Sequence, residues 1–342
     1  MTAPLLAFLS ALLFGASTPA SKLLLGSLPP FQLAGLLYLG AALGVAPVVA
    51  RERGRGAGRL DRANAARLGG AVFLGGVLGP VLLLAALRLA LASSISLLLN
   101  LEMVATAVLG VALFRDHLGR VGWLGVGGVV GAGALLATGS GPPGLFASLL
   151  AGAACVCWGI DNHLTALVDG ITPARSTLVK GAVAGATNLA IGVAVAPLTA
   201  AGSVLAAALL VGGLSYGASI VLYIASAHRL GATRAQASFA SAPFVGAALS
   251  WVVLGEPVGL AHAAAAALLG VSIAALFWSR HGHPHVHEAR EHLHSHRHDD
   301  GHHLHTHPGL PASARHSHLH RHERMLHAHP HWPDVHHRHE HA

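Results

Sequence analysis

The stretch Leu87–Gly119, LRLALASSISLLLNLEMVATAVLGVALFRDHLG, decides the fold. It is long enough to cross a hydrocarbon core, which takes about 20 apolar residues in a helix. Near its middle stand Asn100 and a single carboxylate, Glu102. A charged group at the centre of a membrane helix is costly, so it faces a protein interior or a water-filled cavity. The design returns about 140 residues later in His228–Gly259, HRLGATRAQASFASAPFVGAALSWVVLGEPVG. Leu87-Arg88-Leu89 and His228-Arg229-Leu230 open the two copies, and a helix rich in Ser and Ala follows. Asp116-His117-Leu118 and Glu256-Pro257-Val258 close them. The chain contains an internal repeat.

Working outward, the sequence is 53% hydrophobic and 10% charged. A soluble domain carries about 25% charged residues. Apolar runs recur through the first 279 positions, which makes this an integral membrane chain. Pro4–Leu25 lacks a basic start, holds Lys22 and is too long for a signal-peptide core, so it is expected to stay as a helix. The net charge of +7 resides before residue 280, because the 7 Arg and 7 acids beyond it cancel. No basic stripe interleaves with aromatics, which excludes nucleic acid as a partner. Cys155 and Cys157 lie two apart in an apolar run, which excludes a disulfide framework and leaves buried packing.

Ten spans are predicted, at 4–25, 32–50, 67–87, 92–114, 121–138, 145–167, 175–197, 203–226, 234–254 and 259–278. The fold class is all-α polytopic membrane protein. Basic short loops stay cytoplasmic. With the arginine-rich loop Arg51–Arg67 inside, Arg115, Arg120, Arg175, Arg229 and Arg234 also fall inside, and only Lys22 and Arg88 lie outside. Both termini are therefore expected in the cytoplasm, with the chain multi-pass in the cytoplasmic membrane. The repeat splits ten spans into five and five, at residues 1–140 and 141–279, and the breaker Gly141-Pro142-Pro143-Gly144 marks the junction. An odd number of crossings inverts the second copy. Many secondary transporters use such inverted repeats for alternating access, with the site at the repeat interface.

The two halves also start alike, with Phe14-Gly15 against Trp158-Gly159. These residues, Lys22, the cores Leu99–Glu102 and Ser241–Phe244, and the acidic ends Asp116 and Glu256 resemble the EamA group of the drug/metabolite transporter superfamily. The resemblance covers residues 1–279 and implies ten helices in two inverted halves that carry small metabolites. Phe14 stands where that group often has Trp, and Met103 where Pro is common, which implies a less kinked span four.

Glu102 is the leading candidate, for an amine-bearing substrate or a coupling proton; the alternative is a structural carboxylate satisfied by neighbouring helices. Asn100, Asp161, Asn162 and Trp158 are expected to line the pathway with it. Cys157, Asp161 and Thr165 share one helical face, while Asp161 and His163 point apart. A metal site at Cys157 and Asp161 would need ligands from other helices. Lys180 is expected to pair with Asp161, and Lys22 to reach the membrane interface. Pro19, Pro80 and Pro243 fall inside spans and free carbonyls that protein or cavity water must satisfy. Gly127-x-x-x-Gly131 and Gly181-x-x-x-Gly185 are expected to be close-packing faces.

The tail, residues 280–342, holds 23 of the 27 histidines. Alternating runs carry His281, His283, His285 and His287, then His292, His294, His296 and His298, then His316, His318, His320 and His322. Alternation places each run on one side of an extended chain, and imidazole suits Zn, Ni, Co and Cu. Such a tract is expected to be disordered without metal. The expected function is secondary transport of a small polar metabolite such as an amino acid, with no enzyme activity and no required cofactor. A coupling proton or ion and a homodimer are compatible with it. The alternatives are a transition-metal carrier that uses the tail and a non-transporting metal-responsive sensor.

Overall fold

A computed structural model describes residues 2–52, 61–114, 118–138, 141–168, 171–230 and 238–278, and the backbone of four short tail segments. Among the described residues nine helices are long and apolar enough to cross a membrane: Ala3–Leu24, Pro30–Arg51, Arg62–Leu89, Ala92–Ala112, Arg120–Thr138, Gly144–Ala166, Pro173–Val195, Gly202–Ser226 and Leu260–Phe277. They are spans one to eight and span ten. Span nine is represented by the shorter Ala242–Val253, and 231–237 lie outside the described residues. Apolar side chains face outward, as the lipid-facing wall of a bundle requires: Leu124 is 74%, Val252 82% and Leu260 87% exposed.

Span three starts at Arg62, earlier than expected. Asp61 caps it by accepting the Asn64 N–H at 2.7 Å, which satisfies a backbone donor that a helix start leaves free. The loop before it is correspondingly shorter.

The packing carries the repeat. Span two meets span seven, span four meets span nine, and span five meets span ten. Span three meets span six as span eight meets span one, and span six meets span four as span one meets span nine. Exchanging each span with the one five places on maps this pattern onto itself. Spans three and eight also share an irregularity. Each contains a π-helical turn, at Val72–Leu78 and Gly212–Ala218, and the second starts 140 residues after the first. A π turn disturbs the ordinary ladder and leaves carbonyls in search of donors. The Gly75 carbonyl accepts the Tyr38 hydroxyl at 2.7 Å and Trp158 Nε1 at 3.0 Å. Pro80 has no N–H for the Gly76 carbonyl, which instead accepts Asn188 Nδ2 at 3.1 Å. In the second copy the Ser215 carbonyl accepts the Ser219 hydroxyl at 2.5 Å.

Glycines set the close approaches. A Cβ at Gly159 would meet Ala105 Cβ at 3.0 Å and the Thr106 nitrogen at 3.1 Å, and one at Gly15 would meet Val245 Cβ at 3.0 Å. The two matched glycines thus seat their helices against spans four and nine. Gly181 and Gly185 pack on span two as expected. Gly127 does not pack closely; Gly125 and Gly128 meet Ser272 of span ten instead. The buried stripe of span five runs through Gly125, Val129 and Ala132, and the predicted pair lies off it.

Beyond Trp278 the described backbone forms four strands. β1 (Gly282–His287) pairs antiparallel with β4 (Met325–Pro330), and β2 (Arg290–His296) with β3 (His316–His322). These segments are therefore extended and paired, where the sequence led us to expect disorder. Alternating sequence suits an extended ladder, and Val286 opposite Leu326 and Leu293 opposite Leu319 provide cross-strand apolar positions. His281 and His298 lie outside the described residues.

Candidate functional site

Spans four and six build the centre of the site. Span four is two helices, Ala92–Leu98 and Leu101–Phe114, separated at Leu99-Asn100. Its hydrogen bonds tighten there: Asn100 N–H reaches the Leu97 carbonyl at 3.2 Å and Glu102 N–H the Leu99 carbonyl at 3.0 Å. The expected straighter span is thus corrected, since the break arises without proline. The Asn100 side chain donates to the same Leu97 carbonyl at 2.9 Å and competes with the regular ladder. The Cys155 thiol faces the carbonyls of Leu98 and Leu99 at 3.7 and 3.9 Å, so this cysteine supports the break.

Glu102 begins the second half of the broken span. Its Oε1 accepts Asn162 Nδ2 at 2.9 Å, and Asn162 also donates to the Thr106 hydroxyl at 3.3 Å. The carboxylate is half-buried, and among the described residues no cation forms an ion pair with it. Next to Asn162 in the chain, buried Asp161 receives Lys180 Nζ on both oxygens, at 2.6 and 2.7 Å, and the Thr165 hydroxyl at 2.9 Å. His163 points the other way and bonds the Thr106 carbonyl at 2.9 Å. Trp158, one turn before Asn162, is held through its indole on Gly75.

The structure therefore brings Glu102, Asn162, Asp161, Lys180 and Trp158 together. Asn100 is turned away: it is 1% exposed and bonds its own helix. Among the described residues no group of three or more His, Cys, Asp or Glu gathers to hold a metal. Cys157 sits on the Asp161 face, but Lys180 and Thr165 already occupy that carboxylate.

Two features were not singled out in the sequence. The first is an aromatic series from different spans. The Tyr38 ring stacks on Tyr216 at 6.1 Å, Tyr216 meets Phe14 edge-on at 5.7 Å, Phe14 meets Phe239 at 5.0 Å, and Phe239 meets Tyr223 at 5.2 Å. Its available signal was scarcity, because these are all 3 tyrosines of the chain. The second is a latch at one end of the bundle. Glu256 accepts the N–H groups of Ala92 and Ser93 at 2.7 and 2.8 Å, where span four begins. Gly255, with φ of 64°, ends span nine and swings Glu256 toward it. The Lys22 ammonium donates to the Leu87 and Ala90 carbonyls at 2.5 and 2.8 Å, so it caps span three instead of reaching freely for the interface. Ser94 and His262 bond at 2.9 Å beside them. Asp116, the counterpart of Glu256, lies outside the described residues.

Comparison with known proteins bears on the fold. The profile of the EamA-like transporter family matches residues 1–138, and the match ends where span five ends. No curated protein matches the chain. A solved structure described only as a crystal structure of a protein shares the fold, with TM-score 0.57 and 22% identity over 80% of this chain and 96% of its own.

Proposed function

From the premise that the first five spans match the EamA-like transporter family, we propose that the protein is a secondary-active carrier. It moves a small polar metabolite, an amino acid or a related compound, across the cytoplasmic membrane by alternating access. The observation that carries this reading is the Glu102–Asn162 bond, which joins a span of each half. Among the described residues no cation forms an ion pair with Glu102, which suits an incoming ammonium or proton. Exchange of partners between spans four and six provides the two states that alternating access needs.

Glu102→Gln keeps the shape and removes the charge. Flux of labelled amino acids and amines into proteoliposomes should fall to background in this variant, while its yield and helical circular dichroism stay at wild-type level. Unchanged flux with unchanged pH dependence would make Glu102 structural.

A second reading, a transition-metal carrier with the tail as collector, is favoured by the ladder register. His292 lies opposite His320, His294 opposite His318 and His296 opposite His316. Truncation after Arg280 separates the readings. Under ours it leaves metabolite flux intact and alters only the response to Zn, Ni, Co or Cu. Complete loss of metal flux, with no metabolite ever carried, would put the metal reading in its place. Metal-dependent partner binding with no flux of any compound would identify a sensor.

A further inference from the structure

Resting on the carrier reading, we infer that the substrate is a monovalent amine with an aromatic or bulky apolar body, received between the Glu102 carboxylate and the aromatic series that starts at Tyr38. Three observations carry this.

The first is charge. The central cluster holds Glu102, Asp161 and Lys180, and Lys180 is committed to Asp161 through both carboxylate oxygens. Among the described residues no second cation pairs with Glu102, whose donor is the neutral amide of Asn162, so one negative charge is left over there. A zwitterion leaves that charge uncompensated; a monocation balances it. Compensation matters because an unpaired charge in a low-dielectric interior is costly.

The second is the aromatic wall. Tyr38, Tyr216, Phe14, Phe239 and Tyr223 come from spans two, eight, one, nine and eight. All five are half-buried although they pack on one another. Rings contributed by four spans of both halves, and still partly accessible, form one continuous aromatic surface. Aromatic faces attract a cation within about 6 Å of the ring centroid, and their bodies offer apolar area to an organic substituent.

The third is continuity. The Tyr38 hydroxyl and the Trp158 indole share the Gly75 carbonyl. Trp158 lies one turn from Asn162, which holds Glu102. Carboxylate and rings are therefore parts of one site.

Binding to the purified full-length protein in lipid nanodiscs tests this by calorimetry with four probes: phenethylamine, phenylalanine, phenylethanol and butylamine. Phenethylamine should bind most tightly. Phenylalanine adds a carboxylate, phenylethanol lacks the charge and butylamine lacks the ring. Loss of the ligand's ring should weaken binding by about two- to twelvefold, the range of an aromatic pair beyond its area. Glu102→Gln should abolish the preference of phenethylamine over phenylethanol. Tyr216→Leu should weaken phenethylamine more than butylamine, which loses only the attraction of the ring for its ammonium, while Tyr216→Phe retains wild-type affinity and shows that the site still folds. Phenylalanine binding as tightly as phenethylamine, or phenethylamine binding unchanged in both Glu102→Gln and Tyr216→Leu, overturns the inference. Flux of the same probes is a separate readout. Phenylalanine flux without phenethylamine binding keeps the carrier and removes this substrate class. Selective phenethylamine binding without flux of any probe keeps the site and removes the carrier.

Discussion

At the scale of single residues, the Asp161–Lys180 pair was legible because the chain has only 2 lysines, Lys22 and Lys180, and the second shares a half with Asp161. Its side chains are 9% and 18% exposed. Removing one partner of a buried pair strands the other charge and destabilises by about 3–5 kcal/mol, whereas removing both is often close to neutral. Lys180→Met should therefore lower the midpoint of thermal unfolding in detergent sharply, and Asp161→Asn with Lys180→Met should recover most of the loss. A single variant as stable as the double one would show that the pair is not coupled. Asn100 was misread for a physical reason. Its polarity was visible, but a short amide has the backbone within reach, and the Leu97 carbonyl takes it. The aromatic series was beyond sequence reading, since its members are far apart in the chain and meet only when spans one, two, eight and nine pack.

At the scale of elements, helix ends were read by charge and are governed by backbone groups. Glu256 and Lys22 were visible as an acidic end and a basic end. What the sequence does not reveal is that the first satisfies the N–H groups of span four and the second the carbonyls of span three. Each charge also complements a helix dipole, since a carboxylate favours a helix start and an ammonium a helix end. Loss of a capping acceptor costs about 0.5–2 kcal/mol, so Glu256→Gln should loosen this end without unfolding the protein. A cysteine at the buried Ser93 position, in a background with Cys155 and Cys157 changed to Ala, reports it. Its maleimide labelling should speed up several-fold in Glu256→Gln. Equal rates would mean that the contact holds nothing shut. Small-residue faces were half legible: two glycines four apart indicate close packing, but only the neighbouring helix decides which stripe of a glycine-rich span is used.

At the scale of the whole molecule, the five-plus-five division is an expectation from one repeated stretch, and the packing shows matched contacts between spans five places apart. The orientation expectation rests on the arginines of 51–67 and makes a direct prediction. A single cysteine placed there, or in the tail, should resist an impermeant reagent in intact cells and react after the cells are opened. Ser27→Cys, exposed between spans one and two, should react in intact cells. The reverse pattern would turn the molecule over. The tail shows the limit of composition. It led to the expectation that the histidines chelate metal, while the pairing of β1 with β4 and β2 with β3 brings together segments far apart along the tail.

The two π turns bear on ancestry. Such a turn arises when one residue is inserted into an α-helix. Here both copies carry it, at starts 140 residues apart. An insertion acquired after the halves were joined would mark one copy alone. The shared position is what one insertion before duplication of a five-span unit would leave.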